Sequence, residues 1–199
     1  MNRNPIPARD RLMSTVSELL DGDHPQDILV EDVLRESGVA RGSLYHHFDD
    51  FPALIEATLL DRFSHGVDRD TKMMRHILEV SKSGDEFWDS IFAFHLEAQS
   101  PERAHRRAER ARILGLAKSS ERFRQALAVE QERMTTSLAD AISRAQEKGW
   151  VRSDLCSRAI AVFIQAFTLG RAVDDVALTH VDPADWVQVV RAATGPLRS

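Results

Sequence analysis

The chain has 199 residues, 43% of them hydrophobic, and its 26 Lys and Arg stand against 31 Asp and Glu for a net charge of −5. The apolar fraction excludes a generally disordered polymer and suffices for one sizeable core, or for a small module joined to a larger one. No stretch approaches the roughly 20 continuous apolar residues of a membrane span, and MNRNPIPARDR lacks the apolar run of a signal peptide, so a cytoplasmic protein with no membrane partner is expected.

Helical periodicity dominates, and no window carries the sustained apolar/polar alternation of strands, so the fold class is read as all-α. The first helix spans about Pro7 to Leu20, with Leu12, Met13, Val16, Leu19 and Leu20 on one face, and DGDHPQD ends it. A second, about Val30 to Ser37, stops at Gly38, the residue best able to take positive φ at a helix end. A third runs from near Ala40 to near His47. Asp50 is placed to cap a fourth, with Leu54, Ile55, Leu59 and Phe63 as its stripe. Longer helices follow at about Arg69 to Ser83, Asp85 to Gln99, Pro101 to Lys118, Glu121 to Lys148, Asp154 to Leu178 and Pro183 to Ala193. Ser100, Ser120 and Asp182 are their N-cap signals, and Gly149 is a C-cap signal. Cys156, in LCSRAIAVFIQ, reads as a helix residue and as the only cysteine cannot form an intrachain disulfide.

Charge is unevenly placed. Residues 1–66 hold six arginines and twelve carboxylates, whereas the rest is nearly balanced at 20 bases and 19 acids. The bulk positive footprint of a nucleic-acid binder is therefore missing from the first third. The geometry there nevertheless suits a duplex. A helix-turn-helix lays one helix across the phosphates and inserts the N-terminal residues of the next into the major groove. Gly38 supplies the turn, Val39 anchors it, and the exposed face of the third helix reads Ala40, Arg41, Ser43, Tyr45 and His46, with Gly42 and Ser43 leaving room for close approach. Arg41 carries the donor fork suited to a guanine edge or a phosphate, and Ser43, Tyr45 and His46 are donors for phosphate oxygens. Leu44 and Phe48 point to the core.

The string VEDVLRESGVARGSLYHHFDDFPALIEATL closely resembles the DNA-binding head of the TetR (tetracycline-repressor) family, in Gly38, Val39, Gly42, Ser43, Leu44, Tyr45, His47, Phe48 and Leu54, over about Pro7 to Phe63. The resemblance implies a three-helix head, residues 1–50, joined to a larger ligand-binding and dimerisation domain, residues 51–199, with about nine or ten helices in all. It implies a homodimer on near-palindromic double-stranded DNA, acting as a repressor released by a small-molecule effector, with Val30, Ala40, Arg41, Gly42, Ser43, Tyr45 and His46 at the DNA. Two positions depart from the family pattern. Leu29 stands where a Ser or Thr commonly caps helix two, and Phe51 where many members carry Lys, and both changes remove phosphate contacts. Arg3, Arg9 and Arg11 offset this in part if an N-terminal arm reaches the duplex.

In the larger domain, Met and aromatic residues suit an adaptable apolar pocket. Core packing accounts for any one of them more readily than ligand contact. As a set, Trp88, Phe92, His95, Met134, Phe163 and Phe167 are the candidates for an apolar or amphipathic effector. The segment HRRAERAR places Ala104, Ala108, Ala111 and Gly115 on a small-residue face, and its arginines are expected on the solvated side, paired with Glu102 and Glu109, although one of them contacting an anionic effector is a further option. The segment LCSRAIAVFIQAFTLGRAVDDVAL is apolar around most of its circumference and needs two neighbours. Phe163, Ala166, Gly170, Val173, Trp186 and Val190 are accordingly the candidate dimer interface, by position in the family.

HExxH, CxxC, GxSxG and a Gly-rich phosphate loop are absent from the sequence, and adjacent His46 and His47 point about 100° apart on a helix and cannot chelate one metal. No enzyme, metal site or cofactor is expected. The competing reading is a helical ligand- or protein-binding protein with weakened DNA binding.

Overall fold

A computed structural model describes residues 6–199. Among them the fold is all-α, with helices α1 (Ala8–Leu19), α2 (Val30–Ser37), α3 (Arg41–His47), α4 (Phe51–Val80), α5 (Gly84–Ala98), α6 (Ala104–Leu116), α7 (Glu121–Glu147), α8 (Ser157–Gly170), α9 (Ala172–Asp175) and α10 (Pro183–Thr194). Short 3-10 turns occupy Pro101–Arg103 and Gly195–Leu197, and one isolated antiparallel bridge joins Val151 to Arg198.

The chain divides into two compact units, one ending at His65 and the other spanning Gly66–Ser199. The first unit is built on Leu12, Val16, Val33, Leu44, Leu54 and Leu59, all fully buried. It extends past residue 50 because the start of α4 belongs to it: Arg62 donates through Nη1 to the Ser17 carbonyl at 2.7 Å and pairs through Nη2 with Asp21 at 2.8 Å, tying α4 to the end of α1. Asp50 caps α4 as expected, its Oδ1 accepting from Ala53 N at 2.6 Å.

In the second unit α7 and α8 pair extensively, α10 packs on α5, and α6 lies against α8 and α9. Ser120 and Asp182 cap α7 and α10 by accepting from Phe123 N and Ala184 N. Ser100 makes no such bond and precedes a 3-10 turn, whereas Ser83 caps α5 by accepting from Glu86 N.

Three sequence expectations are corrected. The expected fourth and fifth helices are one 30-residue α4, because Gly66 within a helix costs only about 1 kcal/mol and the buried stripe Phe63, Val67, Met74, Ile77, Leu78 runs through it without a phase change. The long helix expected over Asp154–Leu178 begins at Ser157 and breaks after Gly170, with the exposed Cys156 as N-cap instead of an interior residue. The face of α6 is also reversed. Ala108, Ala111 and Gly115 are exposed, while Arg107 is buried and pairs with Asp175, Nε to Oδ2 at 2.7 Å and Nη2 to Oδ1 at 2.6 Å. Its Nη1 also donates to the Ala98 and Ser100 carbonyls, so a planar donor fork with four acceptors is satisfied indoors where the pattern placed it in water.

Candidate nucleic-acid interface and ligand cavity

Between α2 and α3 lie only Gly38, Val39 and Ala40. Gly38 adopts φ 62° and ψ 24°, the left-handed conformation that a side chain resists and that lets the chain reverse within one residue. Val39 is buried, and its N–H donates to Ser37 Oγ at 3.3 Å, which fixes the turn. Leu44 and Phe48 are buried beneath α3, and the Arg9 guanidinium lies 5.6 Å from the Phe48 ring centre.

The opposite side of α3 faces solvent. Ala40, Arg41, Gly42, Tyr45 and His46 are exposed, Ser43 is half-buried, and Val30 is half-buried at the start of α2. The seven residues expected at DNA thus lie in and next to the helix-turn-helix. Arg41 carries a contact that the sequence pattern did not indicate: its Nη2 lies 2.7 Å from Glu31 Oε1 in the first turn of α2. Leu29 is the N-cap of α2, makes no side-chain cap bond and is 57% exposed, an apolar group where a hydroxyl would serve. Arg3 lies outside the described residues.

The six ligand candidates separate into two groups and a solitary residue. Trp88 and Phe92 are buried in an aromatic cluster, their rings stacked at 5.7 Å, with Arg191 4.2 Å from the Phe92 centroid and the Trp88 Nε1–H donating to the Trp150 carbonyl. His95 is buried against Phe167 at 5.3 Å, and Phe167 meets the exposed Phe163 at 5.5 Å. Burial pushes the His95 pKa down to about 4, since a charged imidazolium would lose its hydration there, and its Nδ1 is buried without a hydrogen-bond partner. Met134 is buried on α7.

A cavity of about 210 Å³ lies among α6, α7 and α8, lined by Arg110, Leu114, Gln131, Thr135, Val162, Gln165, Ala166 and Leu169. None of the six candidates lines it, although Met134 touches its wall through Arg110, whose Nη2 lies 2.7 Å from the thioether sulfur. A legible signal existed in the glutamine set inside the apolar run AVFIQAFTLG and in Gln131 and Thr135, one helical turn apart beside the buried Met134 and Leu138.

Of the residues expected at a dimer interface, Phe163, Ala166, Gly170 and Val173 are exposed, Trp186 is half-buried, and Val190 is buried within the single chain. Val162, Val176, Leu178 and Val189 add to the exposed apolar surface of this region. Among the described residues no His, Cys, Asp or Glu cluster could hold a metal ion, and no helix is long and apolar enough to cross a membrane.

No family model and no curated protein matches the sequence. Solved structures do match the fold. A Rhodococcus sp. protein assigned to the TetR family of transcriptional regulators superposes with a TM-score of 0.66 at 22% identity, covering 96% of this chain and 98% of that one. Salmonella enterica GusR matches at 0.67 and 21% identity, over 98% and 97% of the two chains. A transcriptional regulator from Saccharomonospora viridis, solved in complex with choline, matches at 0.68 and 16% identity, over 94% and 95%. The resemblance of the head to TetR-family proteins therefore extends to the fold of nearly the whole chain.

Proposed function

We propose that the protein is a ligand-responsive, DNA-binding transcriptional regulator, not an enzyme, acting in the cytoplasm as a homodimer on a near-palindromic operator. The observation that carries this reading is the solvent face of α3. Arg41, Tyr45 and His46 are presented on a short helix whose angle to α2 is fixed by the left-handed Gly38 and the buried Val39. Side chains so placed suit the major groove, with Arg41 for a guanine edge or a phosphate and the others for the backbone. Two further observations support it: the exposed apolar residues on α8 to α10, which suit a second copy of the chain, and the cavity among α6, α7 and α8, which suits a small effector.

In this reading the unliganded dimer holds two α3 helices about 34 Å apart, the separation of successive major grooves, and an effector changes that separation to release the operator, as in a repressor. The test is an electrophoretic shift with the DNA upstream of the gene at low and moderate salt. A specific shift lost on Arg41→Ala is the expected result, with a shallow salt dependence because few phosphate contacts are available. No shift at low salt, or one indifferent to Arg41→Ala and Tyr45→Phe, would sink the proposal. The Arg41–Glu31 pair and the acidic head favour a second reading, a ligand- or protein-binding protein with weakened DNA affinity, and the same failure would point to it.

A further inference from the structure

We infer that Gln99, the C-cap of α5, and His95, one turn earlier, form a buried binding position for a small neutral ligand that carries a primary carboxamide on an apolar body. Gln99 is 1% exposed and His95 6%. Gln99 Oε1, Gln99 Nε2 and His95 Nδ1 are all buried without a hydrogen-bond partner. Among the described residues, Gln99 is the only side chain that leaves both a buried acceptor and a buried donor unpartnered. Buried polar groups are nearly always bonded, because an unpaired one loses its hydration uncompensated. Three such atoms on successive turns of one helix face mark a place where the partner comes from outside the chain.

The surroundings set the ligand's class. Burial holds the His95 pKa at about 4, so the ring is neutral at pH 7. Arg107 donates to the Ala98 and Ser100 carbonyls on either side of Gln99, at 2.9 and 3.1 Å, and its charge is already matched by Asp175. A carboxylate or an ammonium placed here would lose its hydration without a counter-charge. A carboxamide loses less and fits the donor and acceptor set. Its carbonyl accepts from Gln99 Nε2 and one of its N–H groups donates to Gln99 Oε1. Its second N–H donates to His95 Nδ1, in the tautomer that leaves this nitrogen bare. The apolar body has aromatic neighbours. The His95 ring centre lies 5.3 Å from that of the half-buried Phe167, which meets the exposed Phe163 edge-on at 5.5 Å. That pair reaches from His95 to the surface and gives a ring or a short chain both its packing and its way in. Neither Gln99 nor His95 lines the cavity among α6, α7 and α8, so this position is separate from it.

That this ligand acts as the effector rests on the regulator reading, whereas its binding does not. The full-length protein is titrated calorimetrically with hexanamide and benzamide, and with caprolactam, benzoate, benzylamine and anisole for comparison. The two primary amides should bind at least about tenfold more tightly than the rest, the scale of one lost hydrogen bond. Gln99→Leu should abolish amide binding. With no ligand present it should also raise the melting temperature by about 2–4 °C, because it removes two unpaired polar atoms at nearly constant volume. Caprolactam lacks the second N–H, so His95→Phe, which keeps a ring beside Phe167, should erase the preference for hexanamide over it. Failure of both amides to bind, equal binding by benzoate, or a melting temperature lowered by Gln99→Leu would overturn the site. So would amide binding that survives Gln99→Leu, or a preference over caprolactam that survives His95→Phe. Operator shifts without ligand separate the two ideas: a specific shift with no amide binding ends this inference alone, and amide binding with no shift ends the regulator reading alone.

Discussion

Arg41 on the solvent face of α3 and Glu31 on the preceding helix form an ion pair of 2.7 Å, with both side chains more than half exposed. An exposed pair contributes at most about 1 kcal/mol, so a phosphate or guanine competes for Arg41 on favourable terms. Glu31 also sets a negative charge beside Arg41, where the proposed operator contact would lie. Glu31→Gln is therefore expected to strengthen operator binding about fivefold at moderate salt, with folding stability changed by under about 1 kcal/mol. Fluorescence anisotropy on the operator and on scrambled DNA measures it. An unchanged or weaker affinity for both would show that the pair orients Arg41 for binding and does not hold it back.

The buried Arg107–Asp175 pair carries a stability prediction. Its removal by Arg107→Ala or Asp175→Ala leaves one charge uncompensated in the interior, at a cost of about 3–5 kcal/mol. The Arg107 guanidinium holds the Asp175 carboxyl below its ordinary range. A depressed carboxylate stabilises the fold above its unfolded pKa, near pH 4, and that contribution is lost as pH falls through the lower folded value. Urea melts of wild type and Asp175→Ala should therefore differ most above about pH 4 and converge in stronger acid. A constant difference across that range would mean that the carboxylate's charge contributes nothing.

How much of this could be read from the sequence depends on where each determinant lies. The head was legible because its determinants are local: Gly38 must take positive φ, Val39 must be buried, and Leu44 and Phe48 recur at helical spacing. The larger unit was less so. Arg107 meets Asp175 across 68 residues, and a periodicity argument that counts arginine as polar assigns it to water. The same rule hid the cavity, whose walls set two glutamines, a threonine and an arginine among the aliphatic Leu114, Val162, Ala166 and Leu169, without Met or aromatic residues. Trp88 and Phe92 pack in a cluster with Phe87, Trp150 and Arg191.

His95 gives the unit a second pH response, of opposite origin. Its folded pKa of about 4 lies below the unfolded value near 6.5, so the unfolded chain binds the extra proton first. Stability is full above about pH 6.5 and falls as pH drops toward 4, by about 2 kcal/mol between pH 7 and pH 5. His95→Met keeps an apolar packing partner for Phe167 and removes the titration. Urea denaturation at pH 7 and pH 5 should show a loss in wild type that is smaller by that amount in the variant. Equal losses in both would mean that His95 titrates alike in the folded and unfolded chain.

The exposed apolar surface on α8 to α10 leads to a prediction about assembly. Val162 and Phe163 are about half exposed, and Val173, Val176 and Leu178 are more than three-quarters exposed. Single exposed apolar residues are ordinary, but five within 17 positions are a concentration that suits a protein interface. A second copy is the occupant that the operator's expected symmetry requires, since a two-fold dimer mirrors a palindrome. In light scattering the chain should run at twice 22.4 kDa, and Phe163→Asp with Val176→Asp should halve that mass by burying charges opposite one another across the axis. Neither side chain is buried in the single chain, so far-ultraviolet dichroism should remain helical. Operator affinity should fall about a hundredfold or more, because each half-site is then bound without the other. A wild-type mass of 22.4 kDa at micromolar concentration, or full operator affinity in the double variant, would remove the dimer from the mechanism.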